Sequence, residues 1–154
     1  MEENALRISA FSLAQRFLGL RETSGIASNA HILAMLQLDT AWVQNDEVPW
    51  CSAFVNYVCW LLRLPRSKSL AARSWLGAGL PVSIDEAKPG FDVVVLQRGG
   101  ADEPGPEVLA APGHVGFFAG RTPGQIHVLG GNQSNTVSVQ AFSPSRLLGI
   151  RRLL

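Results

Sequence analysis

A thiol is a nucleophile only as its thiolate, and one cysteine of this chain stands where a thiolate is favoured. Cys51 follows Pro49 and Trp50. Proline bars helix before itself and suits a helix start just after, so CSAFVNYVCWLLRL is expected to begin a helix at or near Cys51. A helix N-terminus with a histidine nearby lowers a thiol pKa from ~8.5 into the range ~3.5 to 7.5. His114 is the histidine with suitable context: it opens the β-rich run HVGFF between Gly113 and Gly116, glycines that let backbone or substrate come close. His127 lies inside an alternating apolar strand and His31 in a helical stretch before AMLQL; neither has comparable surroundings. A third polar residue must hold the far imidazole nitrogen. If HVGFFA and QIHVLGGN form a hairpin around residues 120–124, Ala119 faces Gln125 and His114 faces Gly130. Asn132 then shares the face of His114 as a diagonal neighbour. A one-residue slip favours Gln133 instead, and turn chemistry in GGNQSN equally suits a purely structural Asn132.

The elements that must bring these residues together change character along the chain. Apolar residues at three- and four-residue steps predict helices over residues 4–18 and 29–38, followed by the Cys51 helix. Ser69 can cap a fourth short helix, LAARSWL, which GAGLP ends. After Pro89-Gly90 come the short β-rich runs FDVVVLQ, HVGFFAG, QIHVLGG, TVSVQAF and LLGIRRL, separated by Gly, Pro and Asn clusters. Helices first (about residues 1–80) and strands afterwards (about 90–154) indicate an α+β fold with N-terminal helices packed on a C-terminal antiparallel sheet. The Gly-, Pro- and acid-rich segment 98–113 reads as a mobile loop beside the site, either a lid or a connector.

With 154 residues, 47% hydrophobic and 16% charged, the chain can bury one core and is expected to be a single domain, 1–154. A net charge of +1 gives no global steering to nucleic acid or an acidic membrane. Residues 48–84 and 108–154 nevertheless contain basic side chains and no acid. An anionic polymer substrate favours such a distribution, and so does a solvated basic surface answered by acids elsewhere. No apolar run reaches the roughly 20 residues of a membrane span, and the acidic opening MEENALRISA does not read as a secretory signal. Two cysteines make no disulfide framework, and three histidines offer no zinc spacing. On one helix Cys51 and Cys59 lie about 12 Å apart, beyond the ~7 Å reach of a disulfide, so free thiols are expected.

Taken in order, PWCSAFVNYV, PGFDVVVL, GHVGFF, VLGGNQ and SRLLGIRRL resemble the CHAP-type and NlpC-type papain-like cysteine peptidases and amidases over about residues 18–152. The resemblance is strongest to small peptidoglycan hydrolases of phage lysis systems (endolysin-like) and of antibacterial secreted effectors. It implies Cys51 as nucleophile, His114 as general base and Asn132 as orienting residue. NlpC-type proteins usually have histidine at that third place and CHAP-type proteins often a polar or acidic residue, so Asn132 favours the latter. PGFD also departs from the commoner Pro-Gly-Asp order.

On this basis Cys51 attacks an amide carbonyl, His114 shuttles the proton, and water releases the acyl-enzyme. The oxyanion is held by the Cys51 backbone N–H and a donor from the preceding loop, Gln44 or Asn45. Asp46, Glu47 and Trp50 either line the cleft or hold that loop in place. The implied substrate is the peptide part of peptidoglycan, with no metal or organic cofactor, no nucleic-acid or membrane partner, and a monomeric state. If the chain is an exported toxin, a neighbouring immunity or inhibitor protein that plugs the cleft is implied. Without a signal it is expected to be made in the cytoplasm and to reach the periplasm or wall by secretion or lysis. Two rival readings use the same residues: a thiol acyltransferase or deamidase acting on a protein, and a catalytically silent binding module with Cys51 as a core thiol.

Overall fold

The computed structural model describes residues 8–23, 28–46, 48–99 and 102–154. Short helices α1 (Ala10–Ala14), α2 (Ala30–Gln37) and α3 (Cys51–Leu61) precede six strands: β1 (Leu80–Val82), β2 (Asp92–Gln97), β3 (Gly113–Thr122), β4 (Gln125–Gln133), β5 (Thr136–Phe142) and β6 (Leu147–Arg152). The strands form one sheet in the order β1-β6-β2-β3-β4-β5, every pair antiparallel. This is the α+β arrangement expected from the sequence.

Local chemistry accounts for the element boundaries. Ser9 caps α1 through the Ser12 N–H, and Asn29 caps α2 by accepting from the His31 and Ile32 N–H groups, satisfying amides that have no partner inside the helix. The expected helix over 4–18 is shorter among the described residues: α1 gives way to a 3₁₀ turn, Gln15–Phe17, and residues 1–7 lie outside those described. LAARSWL forms a 3₁₀ stretch, Ala72–Gly77, not an α-helix. The edge strand β1 was not expected; it pairs with the end of β6, where Gly79 passes close to the Arg152 carbonyl.

Central strand β2 is buried along five of its six residues, and so reads as a continuous apolar run and not as an alternation. Val93 and Val95 join the main core with Phe54, Val58, Trp75, Phe117 and Leu129. Val94 and Leu96 form a smaller cluster with Phe118, Ile126, Val128 and Ile150 on the other face. The one acid of β2, Asp92, is 1% exposed and is held bidentately by Arg152, Nε to Oδ1 at 2.7 Å and Nη2 to Oδ2 at 2.8 Å. That pair gives the unusual PGFD order a structural use. The segment after α1 also joins the sheet: the Val137 N–H donates to the Leu20 carbonyl at 2.7 Å, and Arg21 bridges to Thr136 at the β5 edge.

Candidate active site

Cys51 is the first residue of α3, preceded by Trp50 as an N-cap that makes no side-chain bond. Its sulfur therefore stands at the positive end of an 11-residue helix. Both cysteines lie on this helix and both are free thiols. Behind Cys51, the interior side of α3 carries polar groups among its apolar ones. The Ser52 hydroxyl donates to the Ser69 carbonyl at 2.6 Å and accepts from Trp75 Nε1 at 2.9 Å. Asn56 donates to that same carbonyl (3.2 Å) and accepts from the Lys68 N–H (3.0 Å). These bonds tie residues 67–75 to the first two turns of α3. The spacing of Ser52 and Asn56, four apart on an apolar helix, is the signal that would have exposed this cluster.

His114 is the second residue of β3, and its imidazole hydrogen-bonds the Cys51 thiol. Burial acts most strongly on Cys51 and pushes its pKa up. The hydrogen bond to His114, the imidazolium charge, and the Val115 and Ser52 backbone N–H groups outweigh it, so the thiol lies below its ordinary value. Burial likewise pushes His114 down, but Cys51 and then Gln133 outweigh it and raise the imidazole above its ordinary value. Shifts of opposite sign in a contacting pair favour a thiolate facing an imidazolium.

The residue on the far imidazole nitrogen is Gln133, not Asn132. His114 Nε2 donates to Gln133 Oε1 at 2.8 Å. Gln133 is 3% exposed, and its amide orientation is set by two donated bonds, to the Ser138 carbonyl (2.7 Å) and the Val128 carbonyl (3.2 Å). Those acceptors require NH₂ on their side, so the oxygen faces the ring and Nε2 must carry its proton. Nδ1 is left for Cys51.

Two departures from the expected hairpin explain the substitution of partners. Strands β3 and β4 join through a two-residue turn, Pro123 and Gly124 with φ +80° for the glycine, in place of a five-residue loop; Phe118 pairs with Val128 and Phe117 with Leu129. More decisively, β4 bulges. Gly130 pairs with Ser138 and Gln133 with Thr136, so two residues of β4 stand opposite one of β5. Asn132 takes a left-handed φ of +56° at that bulge. One extra residue reverses the inward–outward alternation, and Gln133 arrives on the face Asn132 would have held. Gly130 is needed beside the pair, since a β-carbon there would sit 2.6 Å from Gln133 Oε1 and 3.2 Å from His114 Nε2. Gly131 lets the strand press onto α3, where a β-carbon would meet Trp50 and Phe54 at 2.7 and 2.8 Å.

The other proposed site residues separate clearly. Trp50 is fully buried and donates from Nε1 to Glu22 at 2.7 Å. Asp46, 1% exposed, accepts from the Thr23 and Asn29 N–H groups at 3.1 and 2.7 Å. Both hold the loop before Cys51 and neither lines the cleft. Gln44 donates to the Trp42 carbonyl of its own loop at 3.4 Å. Neither it nor Asn45 lines the cleft around the thiol, so they are not placed as the oxyanion donor; Glu47 lies outside the described residues. Gly113 and Gly116 serve packing more than substrate access: a β-carbon on Gly113 would crowd Arg73 and β2, and one on Gly116 would crowd β4.

The cleft, about 290 Å³, is lined by Cys51, His114 and Asn132, by Pro49, Leu70 and Ala72, and by Arg98 and residues 110–113 across from them. Among the described residues, larger surface hollows of about 420 and 380 Å³ lie at the β3–β4 turn and at the end of α3. Neither contains a nucleophile, so size does not mark the site. The segment 98–113 was expected to be mobile, yet its described residues between 103 and 112 are anchored. Fully buried Arg73 donates to the carbonyls of Pro104, Gly105, Val108 and Pro112 at 2.7 to 3.2 Å, and its Nη2 lies 3.6 Å from Glu103. On the other side of His114, the Phe142 ring stacks at 5.5 Å and carries the Arg146 guanidinium at 5.1 Å. Sequence reading missed Arg73, Phe142 and Arg146, because each acts through a partner 28 or more residues away.

No protein-family model matches the chain, and no curated protein matches it by sequence. Among solved structures it is similar to NlpC1 from Trichomonas vaginalis, with a TM-score of 0.58 and 17% identity, covering 97% of this chain and 46% of that one. It is likewise similar to NlpC2 from the same organism, with a TM-score of 0.58 and 16% identity, covering 97% of this chain and 49% of that one. The chain thus spans about half the length of the solved structures it matches. At these identities the likeness is one of fold: the chain has an α+β fold like that of these NlpC proteins.

Proposed function

We propose that this protein is a cysteine-dependent amidohydrolase that cleaves an amide of the peptidoglycan peptide. The observation that carries this reading is the connected set Cys51–His114–Gln133, open to a cleft at a helix N-terminus. The Cys51 thiolate adds to the amide carbonyl carbon, and the carbonyl electron pair moves onto oxygen. The Cys51 backbone N–H at the start of α3 faces that oxyanion, and the Asn132 amide, which lines the same cleft, takes the second-donor role first given to Gln44 or Asn45. The His114 imidazolium gives its proton to the nitrogen as the C–N bond breaks, leaving a thioester. Neutral His114 then takes a proton from water, which displaces the thiolate and frees the carboxylic acid. Gln133 keeps the Nε2 proton in place throughout, so that Nδ1 is always the nitrogen that exchanges protons with the reacting groups.

The wall peptide as substrate comes from the sequence resemblance, with the NlpC-like fold as support. The test is mass spectrometry of soluble fragments released from purified peptidoglycan by the wild-type protein and by Cys51→Ala. New amine and carboxyl ends that appear only with the wild type are expected, and their masses name the bond. Release of the same fragments by Cys51→Ala would remove Cys51 as nucleophile. Rapid Cys51 labelling by iodoacetamide with no fragment from any wall type would move the chemistry to a protein acyltransferase or deamidase.

A further inference from the structure

Arg146 ends the 3₁₀ turn Pro144–Arg146 that carries the chain from β5 to β6. The next residue, Leu147, pairs with Leu96 on β2, and Leu96 pairs in turn with His114 on β3. Leu147 and His114 thus stand on one row, two strands apart, which is about 10 Å at the usual strand spacing. From the start of that row the Arg146 guanidinium reaches across the end of β2. Its Nε and Nη2 donate to the Gln97 carbonyl at 3.0 and 2.8 Å, and Nη2 also donates to the Arg98 carbonyl at 2.9 Å. So clamped, the guanidinium lies over the Phe142 ring, 5.1 Å from its centroid. That ring packs on the His114 imidazole at 5.5 Å with the planes 31° apart. The two distances together bound the separation of guanidinium and imidazole at about 11 Å, a range over which like charges in a partly buried site still repel.

From this geometry we infer that Arg146 is a positioning residue of the site: it holds the Phe142 ring against the imidazole and, by like charge, makes the imidazolium readier to give up its proton. The inference rests on Cys51 and His114 forming the reacting pair. In the proposed reaction the imidazolium must survive beside the thiolate and yet release its proton to the leaving nitrogen. Cys51 and Gln133 serve the first requirement, and Arg146 serves the second. The influences on His114 follow this division: burial is the strongest and lowers its pKa, Cys51 and then Gln133 raise it, and the Arg146 charge lowers it. Other groups also face this region. Cys51 meets the imidazole from α3, Arg98 lines the same cleft at the end of β2, and Arg73, with Glu103 beside it, packs near Gly113. Strand β4 contributes the uncharged Gln133 and Asn132. Substitutions at position 146 keep all of these side chains.

The test is the titration of the His114 imidazole in the whole protein, followed by NMR with ¹⁵N-labelled histidine, with His114→Gln identifying its resonances. Arg146→Gln can still donate to a β2 carbonyl but carries no charge, and its His114 midpoint is expected to rise by about twofold to tenfold in proton affinity. Arg146→Lys keeps the charge and should stay within about 1.5-fold of the wild type. Arg121→Gln removes the same charge from the far end of β3, seven residues or about 23 Å from His114, where Arg121 faces Asp85; it should leave the midpoint unchanged. A midpoint that is unchanged or lower in Arg146→Gln overturns the inference, and so does an equal rise in Arg146→Lys or Arg121→Gln. Cys51→Ala separates this result from a failure of the underlying reading. Loss of the thiolate should lower the His114 midpoint, and an unchanged midpoint in that variant would defeat the Cys51–His114 pair itself, and the inference with it.

Discussion

Two thiols eight residues apart on α3 are both buried, yet their chemistry diverges. Cys59 is 0% exposed, and burial pushes its pKa up to about 12, with only slight relief from Arg66. Cys51 is 6% exposed and experiences the same upward push, but its pKa falls below the ordinary value because His114 and two backbone N–H groups face it. Burial alone therefore makes an inert thiol, and desolvation becomes useful only where a partner supplies compensating charge. The contrast lies in what each end of the helix meets. The first turn of α3 meets the start of β3, while Cys59 is enclosed in the main core.

The sharpest way to break this comparison is competitive labelling. Near pH 7, iodoacetamide should modify Cys51 at least about 10³-fold faster than Cys59, because the thiolate fractions differ by more than that factor. Equal rates, read by peptide mass spectrometry, would dissolve the distinction. A second variant should convert one thiol into the other. In His114→Ala, burial is left without its main opponent, and Cys51 labelling near pH 7 should slow by about 10²-fold or more, its inflection moving above the ordinary thiol range.

The smallest effect concerns Gln133. The ion pair is populated above the lowered pKa of Cys51 and below the raised pKa of His114, giving a bell-shaped dependence on pH. Gln133→Leu removes an acceptor from the imidazolium, so the alkaline limb should move to lower pH, with fragment release near neutrality falling roughly 10- to 100-fold. Asn132→Leu should leave the pH profile of Cys51 labelling where it is. If Asn132→Leu moves that profile and Gln133→Leu does not, the partner assignment is reversed.

How much of this was legible in advance depends on the distance over which each feature is decided. Pro49 followed by an apolar helical pattern located the start of α3 at Cys51, because proline geometry and helix periodicity act within a few residues. The β-rich runs after Pro89-Gly90 correspond to five of the six strands for a similar reason. His114 could be singled out by its place at a strand start, although the glycines beside it turned out to serve packing.

The partner of His114 required knowledge that no local pattern holds. Asn132 and Gln133 are adjacent and chemically similar, and they differ only in which face of β4 each occupies. That face is set by a bulge whose existence depends on how β5 pairs across it, and one residue of slip exchanges the two faces completely. The roles of Arg73, Phe142 and Arg146 have the same origin: each follows from backbone carbonyls or rings supplied by distant segments. The sequence by itself determined the α+β order, the thiol at the start of α3 and the histidine at the start of β3, because those rest on local backbone preferences. Only the tertiary structure decided the partner of that histidine and the anchoring of the cleft wall by Arg73, because register and long-range burial are properties of segments that meet after folding.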